Sequence, residues 1–182
     1  MCFLRVTMPK KNSDLDEKQE TQRDFKEVIS LMEQLLSSLK SISSSKISKK
    51  IFGQDHLSLE YIAHENEIMF YVACPIEYKD LMEKQINGFY SDAVIEETPE
   101  VNIFKNRKYY SGAYLAMKKA FYYPIKTYQK LESDPINTIT NAFSKLQEDE
   151  SAAIQILIKP TDDDWQNECS SVSSQMMEGK KV

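Results

Sequence analysis

Glycine is scarce, with only four in 182 residues, and that scarcity excludes more than any motif in the chain asserts. A phosphate loop of the form GxxxxGK(S/T) needs glycines so that the backbone can wrap a phosphate, and dinucleotide loops need them within a few positions of one another. Gly53, Gly88, Gly112 and Gly179 lie too far apart for either. Histidine is scarcer still, limited to His56 and His64. Both fall at the edges of expected strands, and no nucleophile elbow or comparable signature surrounds a serine or cysteine partner. Each reads as a surface or turn histidine. Cys2, Cys74 and Cys169 are odd in number, widely spaced and without CxxC spacing. Such a set fits a reducing cytoplasm and argues against a disulfide framework or a zinc site. The longest apolar runs, such as Met69 to Cys74, fall far short of the ~20 residues that cross a bilayer. Arg5 interrupts the apolar start and no cleavage site follows, so no signal peptide is expected. Asp162, Asp163 and Asp164 are consecutive, so they point in different directions and lack the spaced ligands of a calcium loop. They read as a solvated turn. The expectation is a cytoplasmic chain with no catalytic residues of its own, no cofactor and no metal; a small enzyme with a diffuse acid/base site is the remote alternative.

What is present is an ordinary globular composition, 41% hydrophobic and 28% charged, in a chain long enough to bury a core. Residues 2 to 8 read as a strand stopped by Pro9, and Ser13 with Asp16 as a capping box for the next helix. Phe25, Val28, Ile29, Met32, Leu35, Leu36, Leu39 and Ile42 then recur at the spacing of one helical face. The stripe is too wide and too short for a coiled-coil seam, so packing on a sheet is expected. Ser43 to Lys50 reads as a connecting loop. Leu57, Leu59 and Tyr61, and after them Ile68, Phe70 and Val72, alternate with polar residues around a short polar turn, which predicts a hairpin. Beyond Pro75 a second helix is expected to turn Ile76, Leu81, Met82, Ile86 and Phe89 inward, followed by a strand at Ala93 to Ile95. The order β-α-β-β-α-β predicts an α+β fold with a ferredoxin-like subdomain over residues 1–99.

Residues 100–168 read as a second, smaller β-α-β unit, also with its helix on an antiparallel sheet. Ser111 to Tyr123 is expected to be one long strand, with Ala113, Leu115, Met117, Phe121 and Tyr123 on its apolar face. Asp134-Pro135 predicts a helix start, an N-cap followed by proline at the first helical position. Ile136, Ile139, Phe143 and Leu146 would give that helix its inner face, and Ile154, Ile156 and Ile158 a final strand. Residues 169–182, rich in serine, read as a linker or tail.

Charge is distributed unevenly. Between Val101 and Leu131 there are seven basic residues and no Asp or Glu, so this segment is +7 while the whole chain is −5. The same segment holds Phe104, Tyr109, Tyr110, Tyr114, Phe121, Tyr122, Tyr123 and Tyr128. On a single strand, Tyr110, Tyr114, Lys118 and Tyr122 would share the face opposite the apolar one. Basic side chains pair with phosphates and tyrosine rings stack on bases, so the composition suits single-stranded nucleic acid. The candidate contacts are Lys105, Arg107, Lys108, Tyr110, Tyr114, Lys118, Lys119 and Tyr122. The more ordinary alternative is that the tyrosines bury their rings against the neighbouring subdomain while the lysines fringe the sheet. No RNP-type motif decides between the two.

Several stretches, in order, carry a resemblance: Phe3-Leu-Arg-Val-Thr-Met-Pro-Lys-Lys11, Phe70-Tyr-Val-Ala-Cys-Pro75, Glu83-Lys-Gln-Ile86 and Ala93-Val-Ile-Glu-Glu97. They continue with Tyr123-Pro-Ile-Lys-Thr127, Asp134-Pro-Ile-Asn-Thr-Ile-Thr-Asn141, Phe143-Ser-Lys-Leu146, Ile154-Gln-Ile-Leu-Ile-Lys-Pro160 and Trp165. Together, over roughly residues 1–168, the chain resembles the N-terminal region of the type IV secretion-like DNA-binding ATPases of small-genome bacteria. These are HerA-FtsK superfamily relatives of conjugative coupling proteins. The resemblance implies a region that assembles a ring or docks a downstream motor onto DNA or onto protein partners at the inner membrane. The ATPase activity belongs to that motor and no catalytic residue of the family has a matching position here. An independent ferredoxin-like nucleic-acid-binding module is the alternative.

Overall fold

The computed structural model describes residues 1–9, 25–42, 54–105, 107–123, 125–131, 135–161 and 164–180. The expected capping box at Ser13 and Asp16, the loop from Ser43 to Lys50, Asp134, and Asp162 with Asp163 lie outside these residues, as do the side chains of Phe25 and Val28. The described elements are β1 (Cys2–Thr7), α1 (Phe25–Ser38), β2 (Leu57–His64), β3 (Glu67–Cys74), α2 (Lys79–Phe89), β4 (Val94–Thr98), α3 (Pro135–Phe143), β5 (Ala152–Ile158) and α4 (Asp164–Met177). All five strands form one antiparallel sheet in the order β4-β1-β3-β2-β5. The fold is therefore a mixed α+β architecture with an open five-stranded sheet.

Local chemistry accounts for most boundaries. Glu65 and Asn66 close the β2–β3 hairpin with φ of 51° and 63°, the paired left-handed backbone of a two-residue turn that matches strand twist. Ser37 and Ser38 at the end of α1 donate their hydroxyls to the carbonyls of Glu33 and Leu35. Such back-bonding competes with the helical ladder, and the chain tightens into a 3-10 turn at Leu39–Ile42. The apolar stripe of α1 meets the sheet as its periodicity predicts. Leu35, Leu39 and Ile42 are buried with Leu4, Val72, Cys74, Leu57, Met82 and Ile86 in one cluster between the two helices and the sheet. The opposite face carries a polar row across all five strands, Glu96, Arg5, Tyr71, Glu60 and Gln155 by register. Arg5 ion-pairs with Glu96, and Gln155 donates to Glu60 at 2.8 Å.

Three expectations are corrected. Ile76 points outward, 66% exposed, because Pro75 opens a 3-10 turn, Ile76–Tyr78, and α2 begins only at Lys79. The period-2 run from Ser111 to Tyr123 forms no strand among the described residues. No described strand pairs with it, and a strand without a ladder leaves its backbone to water. β5 joins the first sheet, through pairs running from Leu57–Ile158 to Ala63–Ala152, instead of building a second β-α-β unit. The serine-rich stretch read as a tail from Cys169 is helical through Met177.

Cys2 and Cys74 face each other across β1 and β3, with Sγ atoms 3.3 Å apart and both thiols buried. Burial first, and the hydrogen bond with Cys2 second, push the Cys74 thiol from its ordinary 9.0 up to about 12. The reactive species is the thiolate. At pH 8 a thiol reagent should therefore modify half-exposed Cys169 quickly, and the buried pair only as fast as the protein opens. Because the folded pKa is raised, this contribution to stability is complete below pH 9.0 and is lost as pH climbs towards about 12. A denaturant midpoint rising over that interval would contradict this.

Candidate nucleic-acid interface

After β4 the chain leaves the sheet through a series of turns. The Asn102 side chain accepts from the Phe104 amide at 3.0 Å, and the amides of Lys105 and Arg107 each return to a carbonyl three residues earlier at 3.2 Å. These local bonds satisfy the backbone without a neighbouring strand. They also turn Arg107 back towards the sheet edge. There Arg107 Nη2 donates to Ser151 Oγ at 2.9 Å and Nη1 donates to the Asp149 carbonyl. The β2–β5 pairing places Ser151 beside His64, whose Nδ1 lies 2.8 Å from Ser151 Oγ.

Around Arg107 opens a groove of about 920 Å³, lined by Phe104, Lys108, Tyr109 and Tyr110 and by Leu146 and the run from Asp149 to Ala153. Phe104 meets Tyr110 edge-on at 5.8 Å, and the Lys108 ammonium sits 5.2 Å from the Tyr109 ring centre. From Ser111 to Ala120 every residue is exposed, Tyr114 by 90%. A second cluster follows. Lys119 lies 5.1 Å from the centre of the Tyr123 ring, and Tyr122 contacts both Phe121 and Tyr123. The segment is tied down again at Tyr128, whose hydroxyl donates to Glu33 of α1 at 2.6 Å. That bond, more than burial, raises the phenol's pKa.

The structure gathers Arg107, Lys108 and Tyr110 on one groove and places Tyr122 next to Tyr123, the ring that Lys119 touches. Lys105, Tyr114 and Lys118 are exposed along the same segment. Tyr110, Tyr114, Lys118 and Tyr122 do not share a strand face, because no strand forms there. Nor do all the rings pack inward: Tyr110 is 78% exposed, while Tyr122 is half-buried.

His64 and Ser151 were not expected to meet. They are brought together by the pairing of two strands almost a hundred residues apart, and nothing local in the sequence marks it. The arrangement is poorly built for nucleophilic catalysis. His64 Nε2 is 3.6 Å from a Glu65 carboxylate that is 83% exposed, too long and too wet to orient the imidazole.

No curated protein and no solved structure matches the chain. Residues 18–180 match the family described as Domain of unknown function (DUF8128), and the chain belongs to that family.

Proposed function

We propose that this chain is a non-catalytic assembly and docking domain of a type IV secretion-like, DNA-translocating ATPase, and that its basic segment contacts single-stranded nucleic acid. The observation that carries the nucleic-acid half is the exposure of Tyr109, Tyr110 and Tyr114, at 82%, 78% and 90%, within a segment of seven cations and no carboxylate. Rings left in water beside lysines are costly unless something stacks on them. The machine half rests on the ordered motifs of the sequence. We further read residues 1–99 as a ferredoxin-like unit, supported by the β4-β1-β3-β2 order and by α1 and α2 packing on one face. Residues 100–168 are then the recognition region. The partners in this reading are DNA and protein, either a motor, other copies or secretion components, on the cytoplasmic side of the inner membrane.

A titration of single- and double-stranded DNA at two salt concentrations tests this. With about four phosphate contacts, single-strand affinity should fall about 50-fold between about 50 and 200 mM salt, and duplex should bind more weakly. Absent or salt-insensitive binding would remove the nucleic-acid half and leave protein assembly.

A further inference from the structure

Arg107 differs from the cations that are held by carboxylates. Arg5 is held by Glu96, Lys79 by Glu97 and Lys180 by Glu178. Arg107 has no carboxylate within ion-pair distance among the described residues; its two terminal nitrogens donate to neutral oxygens, and its Nε, like that of Arg5, is buried without a hydrogen-bond partner. A guanidinium with no carboxylate beside it is costly where water is partly excluded, and an orphaned donor adds to the cost. An oxyanion would offset the uncompensated charge, since the guanidinium fork fits tetrahedral oxyanions in a bidentate way.

We infer that Arg107, Ser151 and His64 form a seat for one phosphodiester group of a single-stranded nucleic acid, with the adjoining base on Tyr110. This rests on the nucleic-acid reading above and gives it an anchor point. The three residues come from the segment after β4, the turn before β5 and the end of β2. Ser151 and His64 supply a hydroxyl and an imidazole that can each turn a donor towards the anion. Tyr110, Phe104 and Lys108 lie on the same groove, so a splayed nucleotide can place its phosphate on Arg107 and its ring on an aromatic. The acidic neighbours define the charge of the ligand. Glu65 lies 3.6 Å from His64, Glu67 is paired with His64 across the hairpin, and Asp149 and Glu150 line the groove. Glu150 is turned aside to accept from the Gln147 amide at 2.9 Å. In this company a singly charged diester is favoured over a phosphomonoester, which carries about −1.5 to −2.

The test follows binding of a fluorescent oligothymidine of about 12 nucleotides to the wild type and to Arg107→Gln and Arg107→Lys. It also records the Arg107 Nε–H resonance of the wild-type protein during the same titration. Arg107→Gln should weaken binding about 10-fold or more, and Arg107→Lys, which keeps the charge but loses the fork, should recover little of it. The Nε–H resonance should move with oligothymidine and not with millimolar inorganic phosphate; this readout needs no variant to fold. If Arg107→Gln binds as wild type and the resonance stays still while oligothymidine binds elsewhere, the seat is overturned and the nucleic-acid reading survives. If oligothymidine does not bind at all, both fall. A resonance that answers to inorganic phosphate alone would reassign the site to the free anion and overturn the diester.

Discussion

Leu35→Ala should lower the free energy of unfolding by about 2–5 kcal/mol, the range for truncating a buried leucine where the surroundings cannot close in. Leu35 is 5% exposed and belongs to the cluster that ties α1 to Leu4, Val72, Met82 and Ile86. It also borders a cleft of about 240 Å³ whose walls include Met32, Leu39, Leu59 and Phe70. The lost side chain would therefore enlarge an existing apolar void, and packing contacts would go unreplaced. Leu36, the next residue on α1, is 36% exposed, and its truncation should cost about 1 kcal/mol or less. Urea unfolding of both variants measures the contrast. A loss below about half a kcal/mol for Leu35→Ala would remove it from the core, because even a single buried methylene contributes more than that.

The contrast also shows which parts of the fold were legible in the sequence. Leu35, Leu39 and Ile42 could be placed because a helix repeats its burial every three to four residues and nothing else competes for that face. The β2–β3 hairpin was legible for a similar reason, with two period-2 runs and a two-residue turn held within one short stretch. The same reasoning failed at Ser111 to Tyr123. Alternation there was genuine, but a strand needs a neighbour, and no described strand pairs with this run. Periodicity reports a face; it does not report a partner. Ile76 was misplaced on a smaller scale, since Pro75 set the backbone for a 3-10 turn before the helix began. At the candidate site, composition alone pointed to Arg107, Lys108 and Tyr110. The meeting of Arg107 with Ser151 and His64 depends on the β2–β5 register and was invisible until that pairing was known.

Reversing Lys118 and Lys119 to glutamate should weaken single-stranded DNA binding about 10- to 100-fold at low salt. Two phosphate contacts are lost, and two carboxylates are brought to the strand in their place. The slope of log affinity against log salt should become shallower by about 1.4, from ~0.7 for each contact removed. Both lysines are exposed, in a stretch where every residue from Ser111 to Ala120 is exposed, so folding has little stake in them. Among the described residues, the contact given up is that of the Lys119 ammonium with the Tyr123 ring, worth about 0.5–1 kcal/mol at an exposed position. A melting temperature close to that of the wild type is therefore expected beside the large loss of affinity. That separation of binding from stability is what the reading of this segment requires. Unchanged DNA affinity in the reversed variant would make the lysines ordinary surface and leave the exposed tyrosines to a protein partner. Equal losses of affinity and of melting temperature would mean that the charges hold the segment in place and do not hold a ligand.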